Sequence, residues 1–150
     1  MRHVDYSRRK LLAGLGAMVL ARPSHATPDD MSAAIKAFTG GAAPAQGGIT
    51  LDVASLVDNG NTVPITVRVA SAMTAADHVA AIAVFNERTP ETNVAVFTLG
   101  ARAGKAEVST RIRMATSQKL VAVARMSDGS FRMHSADVVV ALAACIEGEA

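Results

Sequence analysis

The sequence predicts an all-β fold: an antiparallel β-sandwich of about seven strands with a short N-terminal helix. Three observations carry this expectation. From residue 49 onward apolar residues recur with a period of two, the repeat of a strand with one wet and one buried face. The apolar runs are short, and turn residues separate them every ~8–15 positions. Two of the runs are joined by Ser127-Asp128-Gly129-Ser130, whose Asp-Gly pair is a strong short-range hairpin cue. Together they point to an immunoglobulin-like sandwich. With a single cysteine and no tryptophan, an antibody-type domain is excluded.

Taken in order, DDMSAAIKAF (Asp29 to Phe38) is the helix. Its acids sit at the positive end of the helix dipole. Met31, Ile35 and Phe38 fall on one face, and Thr39-Gly40-Gly41 ends it. Ala42 to Gly48 is a Gly/Pro/Ala loop. Ile49, Leu51 and Val53 alternate with Thr50 and Asp52, and Asp58-Asn59-Gly60-Asn61 is a turn signal. Val63, Ile65, Val67 and Val69 form the next alternating run. Pro64 lacks an N–H and marks that run as an edge strand. From Lys105 to Met114 the charged and small polar residues lie on one parity, and Ala106, Val108, Thr110, Ile112 and Met114 on the other. The continuous apolar runs Val79 to Phe85, Val94 to Leu99 and Leu120 to Ala124 read as strands buried on both faces. Phe131 to Leu142 is the last strand. Thr89-Pro90 and Gly100 to Gly104 mark two further turns.

The N-terminus carries a different signal. Ser7-Arg8-Arg9-Lys10 precedes an apolar run from Leu11 to Ala21, and Ser24-His25-Ala26 follows as a small-x-small cleavage site. Adjacent arginines before such a run read as a twin-arginine export signal over residues 1–26. Its eleven apolar residues fall short of the ~20 that span a bilayer, so no stable membrane span is expected. Five of the fifteen basic residues and one of the thirteen acids lie in that segment, which leaves ten against twelve. The overall basic balance thus belongs to the export signal. With an aromatic content of 3% and no basic block, a nucleic-acid partner is excluded.

No catalytic pattern is present: GxSxG, HExxH, CxxC and a glycine-rich phosphate loop are all missing. His78 and His134 have no metal-ligand spacing and read as solvated or capping side chains. Met73, Met114, Met126 and Met133 read as core filler. Arg102, Lys105, Arg111 and Arg113 are either a docking patch or a solvated strand face. The chemistry therefore falls to Cys145, the one cysteine in 150 residues. It lies beyond the last strand, on a C-terminal arm over residues 143–150 that follows a β-sandwich domain over residues 27–142. A thiol on a terminal tail is accessible, can enter another protein's active site, and can carry a group covalently.

Several stretches carry a family resemblance: Ala37-Phe38-Thr39-Gly40-Gly41, VDNGNTVPITV (Val57 to Val67), MTAADHV (Met73 to Val79) and the long run GARAGKAEVSTRIRMATSQKLVAVARMSDGS (Gly100 to Ser130). In these the chain resembles the SoxY family, the sulfur-carrier subunit of the periplasmic thiosulfate-oxidising system. The resemblance implies a non-catalytic, periplasmic protein without a cofactor of its own. It further implies a SoxZ-like partner subunit, and a c-type cytochrome and a metal-dependent hydrolase that act on the arm. By position Cys145 maps onto the carrier cysteine.

The family arm reads GGCGG, whereas here Ala143 and Ala144 precede the thiol and Ile146 and Glu147 follow it. This resembles a SoxY-related subgroup with an AACIE arm. Alanine and β-branched isoleucine resist backbone angles that glycine allows, so the arm is expected to be stiffer and bulkier. Glu147 and Glu149 place like charge beside the thiol and disfavour its thiolate. Against the carrier stands a binding-module alternative: Ala143 to Ile146 pack as the end of the last strand, Cys145 is structural, and the sandwich docks a periplasmic redox complex.

Overall fold

The computed structural model describes residues 27–88 and 91–142, with only the backbone of Leu142 described. The export signal, the Thr89-Pro90 turn and the arm residues Ala143, Ala144, Cys145, Ile146 and Glu147 lie outside the described residues.

Helix α1 spans Pro28–Thr39. Its first turn closes as a capping box: the Asp30 N–H donates to Thr27 Oγ1 at 3.2 Å, and the Thr27 N–H donates to the Asp30 carboxylate at 2.8 Å. At the other end Gly40 takes a left-handed φ of 64°, which lets the Gly41 N–H return to the Lys36 carbonyl at 2.9 Å.

Nine strands follow among the described residues: β1 (Ala45–Gln46), β2 (Ile49–Asp52), β3 (Leu56–Asn59), β4 (Val63–Val69), β5 (Val79–Asn86), β6 (Asn93–Thr98), β7 (Glu107–Ile112), β8 (Gln118–Met126) and β9 (Phe131–Leu142). They form the expected sandwich. One sheet has the order β1-β9-β8-β5-β6, with β3 also on β9; the other is β2-β4-β7. The strands of the seven predicted runs pair antiparallel, and the two additional short strands, β1 and β3, join β9 in parallel.

The side-chain period explains the layers. Even positions of β5 and β8, including Ile82, Val84, Leu120, Ala122 and Ala124, face the second sheet, where Val63, Ile65, Val67 and Ile112 meet them. Odd positions, Ala83, Phe85, Val121 and Val123, face outward under helix α1. Phe38 seats its ring edge-on against Phe85 and Phe131, at centroid distances of 5.9 and 6.0 Å. Both faces of β5 and β8 are therefore buried, as their continuous apolar runs predict. Each fully buried Val, Ile or Leu contributes roughly 1.5–3 kcal/mol. Met73 and Met114 are buried filler, and Met126 and Met133 pack partly buried against the same clusters.

Two expectations are corrected. The Val94 to Leu99 run is not buried on both faces. Its strand β6 lies at the edge of the sheet, and Val96 is exposed. Pro64 does not mark an edge strand, because β4 is the centre of its sheet. The reason is register: β2 stops opposite Thr66, so Pro64 lies two residues past the last β2 pair, while β7 continues beside it through Arg111.

A side chain ties the sheets together at the free edge of β2. The Leu51 N–H donates to His134 Nδ1 at 3.0 Å, from the second sheet to the inner face of β9. This bond requires Nδ1 to be the acceptor nitrogen. The β8–β9 hairpin closes with the Gly129 N–H on the Met126 carbonyl and Gly129 at φ 85°, a turn followed by a left-handed glycine. Asp128 Oδ1 accepts from the Ser130 N–H at 2.8 Å, and its hydrogen bonds to Ser130 hold the Asp128 carboxyl below its ordinary pKa.

Two outcomes follow. His134→Ala strands a backbone donor and is expected to cost about 1–3 kcal/mol of unfolding free energy, whereas His134→Asn keeps an acceptor and costs less; urea titration checks both. Because the folded carboxyl of Asp128 is depressed, its stabilisation is present above the ordinary carboxylate pKa and is lost as pH falls through the lower folded value. Asp128→Asn is expected to lower the melting temperature at neutral pH and to flatten its fall below about pH 4, measured by calorimetry against pH.

Candidate functional site

The site grows from strand β9, because the arm with Cys145 continues from its end. The first part of β9 pairs with β8 from Phe131 to Val138. There β8 stops, and β9 runs on four residues further. That overhang is held on its other edge by β3, in the parallel register Leu56↔Val139, Val57↔Val140 and Asn59↔Leu142. Successive amides point to opposite edges. The Val139 N–H donates to the Ser55 carbonyl at 2.9 Å, and the Val140 N–H donates to Ser117 Oγ at 2.9 Å. β9 is thus held from both sides up to Val140, and by β3 alone up to Leu142.

Cys145 stands three residues beyond Leu142, so its Cα can lie no further than about 11 Å from that anchor. Around the root the two faces of the strand differ. Val138 and Val140 point into the core with Val57. Leu56 and Val139, ladder partners, stand on the outer face at 61% and 54% exposure, an apolar pair beside the departing chain. Sequence reasoning missed β3 and with it this clamp. The only signal was the apolar pair Leu56-Val57 directly before Asp58-Asn59, and the turn begins at Gly60, later than those residues suggest.

The four basic residues of the candidate patch are not brought together. Arg111 and Arg113 share the exposed face of β7 and its extension at one end. Lys105 lies before the strand at the other end, and Arg102 is in a short 3-10 turn, Ala101–Ala103. Between them the face is neutralised: Arg68 meets Asp52 at 3.2 Å and Glu107 at 3.0 Å. Those hydrogen bonds, to Asp52 first and then to Glu107, raise the pKa of the Arg68 guanidinium. A shallow groove of about 200 Å³ runs along the same face, lined by Pro64, Ile65, Thr66, Ser109, Thr110 and Arg111.

Among the described residues neither histidine joins a metal cluster. His78 Nδ1 contacts the Thr74 carbonyl at 3.1 Å, and His134 bonds Leu51. Among the described residues no group of three or more His, Cys, Asp or Glu side chains could hold a metal ion, and no helix is long and apolar enough to cross a membrane.

Comparison with known proteins agrees with this frame. The family model described as sulfur oxidation protein SoxY matches residues 35–145, a span that ends on Cys145. The sulfur carrier protein SoxY from Chlorobium limicola is similar at 26% identity and a TM-score of 0.63, over 75% of this chain and 92% of that one. A superoxide reductase (neelaredoxin) from Ignicoccus hospitalis superposes with a TM-score of 0.56 at 11% identity, over 77% of this chain and 94% of that one. A putative superoxide reductase from Thermotoga maritima gives 0.55 at 17% identity, over 69% and 89%. These last two likenesses concern the fold alone. Among curated proteins none matches the chain.

The clamp makes one expectation concrete. Ser117→Ala removes the acceptor of the Val140 amide and is expected to speed hydrogen exchange at Val140 about tenfold, with a loss of about 0.5–1.5 kcal/mol in global stability. Exchange measured by NMR at Val140 and at core amides of β5 separates the local from the global effect.

Proposed function

The chain belongs to the SoxY family, and from that premise we propose that it is an exported, non-catalytic carrier that holds a sulfur intermediate covalently on Cys145. One observation carries the reading. The family match runs to the chain's single cysteine, three residues past a strand end that β3 and Ser117 clamp in place. A rigid body with a short tail can lend its thiol to a partner's active site without unfolding anything.

The chemistry this supports is conjugation followed by hydrolysis. The Cys145 thiolate and thiosulfate join through a new S–S bond, and two electrons leave to a c-type cytochrome. Water then cleaves the terminal sulfur–sulfonate bond in a metal-dependent hydrolase, which releases sulfate and two protons and leaves a persulfide on Cys145. This chain supplies the handle, and the partners supply the redox and hydrolytic groups. A SoxZ-like subunit completes the carrier. The twin-arginine pattern over residues 1–26 supports export of this carrier to the periplasm.

The altered arm narrows the partners. Ile146 is bulkier than the glycine of the usual arm, and Glu147 adds a charge, so the enzymes that accept this arm need a wider and more basic channel. Intact-mass analysis of protein isolated from its native periplasm tests the proposal. Adducts of persulfide or thiosulfonate mass on Cys145, lost on reduction and missing from Cys145→Ser, are expected. A clean mass together with slow reaction toward a thiol reagent overturns the carrier in favour of a binding module.

A further inference from the structure

The chain contains four asparagines, and only Asn59 is followed by glycine; Asn61, Asn86 and Asn93 precede Thr62, Glu87 and Val94. The main-chain nitrogen after an asparagine can attack the side-chain Cγ and close a five-membered imide. A side chain on that next residue crowds the nitrogen and limits its backbone angles, and glycine removes both obstacles. Asn86 is also sealed in the core at 1% exposure, whereas Asn59 is open to water.

The local structure favours the attack. The Asn61 N–H donates to Asn59 Oδ1 at 2.9 Å. That bond folds the side chain back along the Asn59–Gly60 peptide, in a closed turn that contains both Cγ and the Gly60 nitrogen. It also aims a donor at the oxygen on which negative charge develops when Cγ is attacked. Asn59 is the last residue of β3, and its pairing with Leu142 is the last described pair of the parallel ladder to β9. Closing the imide turns the Asn59 main chain out of its extended form. That opens a terminal pair rather than an interior one, and strand ends open readily. Beyond it the Gly60 carbonyl is anchored by the Met114 N–H at 2.8 Å.

We propose that Asn59 is a site of spontaneous deamidation in the folded chain, and that the product loosens the hold of β3 on β9. The Gly60 nitrogen gives its proton to solvent base and bonds to Cγ of Asn59. The Cγ–Nδ2 bond breaks, and ammonia leaves after taking a proton from solvent. Water then opens the imide, at Cγ to give aspartate or at the main-chain carbonyl to give isoaspartate. The balance is one water consumed, one ammonium released and one carboxylate gained, with nothing oxidised or reduced. In the isoaspartate the main chain runs through the former side chain and is one methylene longer, so the pairing with Leu142 is lost.

Peptide mapping by mass spectrometry of the full chain, kept folded at mildly alkaline pH, tests the site, with isoaspartate read by enzymatic methylation. An amide-to-carboxylate mass gain at Asn59 is expected, ahead of any gain at Asn61, Asn86 or Asn93. Gly60→Ala is expected to slow it about tenfold. Asn59→Gln, whose longer side chain closes a larger ring, is expected to remove it and serves where Gly60→Ala does not fold. The isolated isoaspartyl form is expected to exchange the Val139 amide, which bonds the Ser55 carbonyl, about threefold faster than the unmodified chain. No gain at Asn59, or equal gains at all four asparagines, overturns the site. Equal exchange at Val139 in the two forms overturns the loosening of β9.

Discussion

The pairing of β9 is the constraint from which the rest of the molecule takes its geometry. This strand gives one edge to β8 and the other to β1 and β3, and its inner side chains meet β2 through His134. β8 is its hairpin partner, whereas β1, β2 and β3 all come from residues 45–59. Contacts with those three are long-range and close a large loop, so β9 is where the two ends of the sandwich domain are brought together. A terminal segment is ordinarily the first to fray. Here it is built into the middle of a sheet, and the residues that leave the body leave it from a fixed point.

Layering follows from composition. With an aromatic content of 3%, the chain fills two interfaces mainly with Val, Ile, Leu and Ala. The three phenylalanines beneath and within helix α1 concentrate on the outer face of the large sheet, where a helix must be set against a flat surface. The sheet-to-sheet interface uses β-branched residues of similar size, which interdigitate without large side chains. A polar bond across it, from Leu51 to His134, satisfies an amide that the short edge strand β2 would otherwise leave open.

Most of the fold was legible in the sequence because two periods dominate it. Period two set the predicted strands, and their parity was right even on β7, where Thr110 shares the buried side. What was not legible depends on neighbours. Pro64 was misjudged because propensity assumes a partner along the whole strand, and only the register shows that β2 ends before it. The Val94 to Leu99 run looks like an interior strand by hydropathy, but its place at the edge is decided by topology. The short strands β1 and β3 carry no pattern of their own, since two to four residues are too few to show a period; β9 recruits them. The candidate site divides in the same way. Cys145 is a candidate named from sequence alone and lies outside the described residues, while the clamp on β9 and the separation of the four basic residues emerge only from the fold.

Strand direction at the arm's root has a mechanical meaning. A protein that seizes the tail and pulls outward along β9 draws against the hydrogen bonds to β8 and β3 at right angles to their length. Loaded in shear, those bonds share the tension and yield together, whereas a strand peeled from its end would give them up singly. Tension applied to the end of β9 is therefore borne by the ladder as a whole, and the body stays intact.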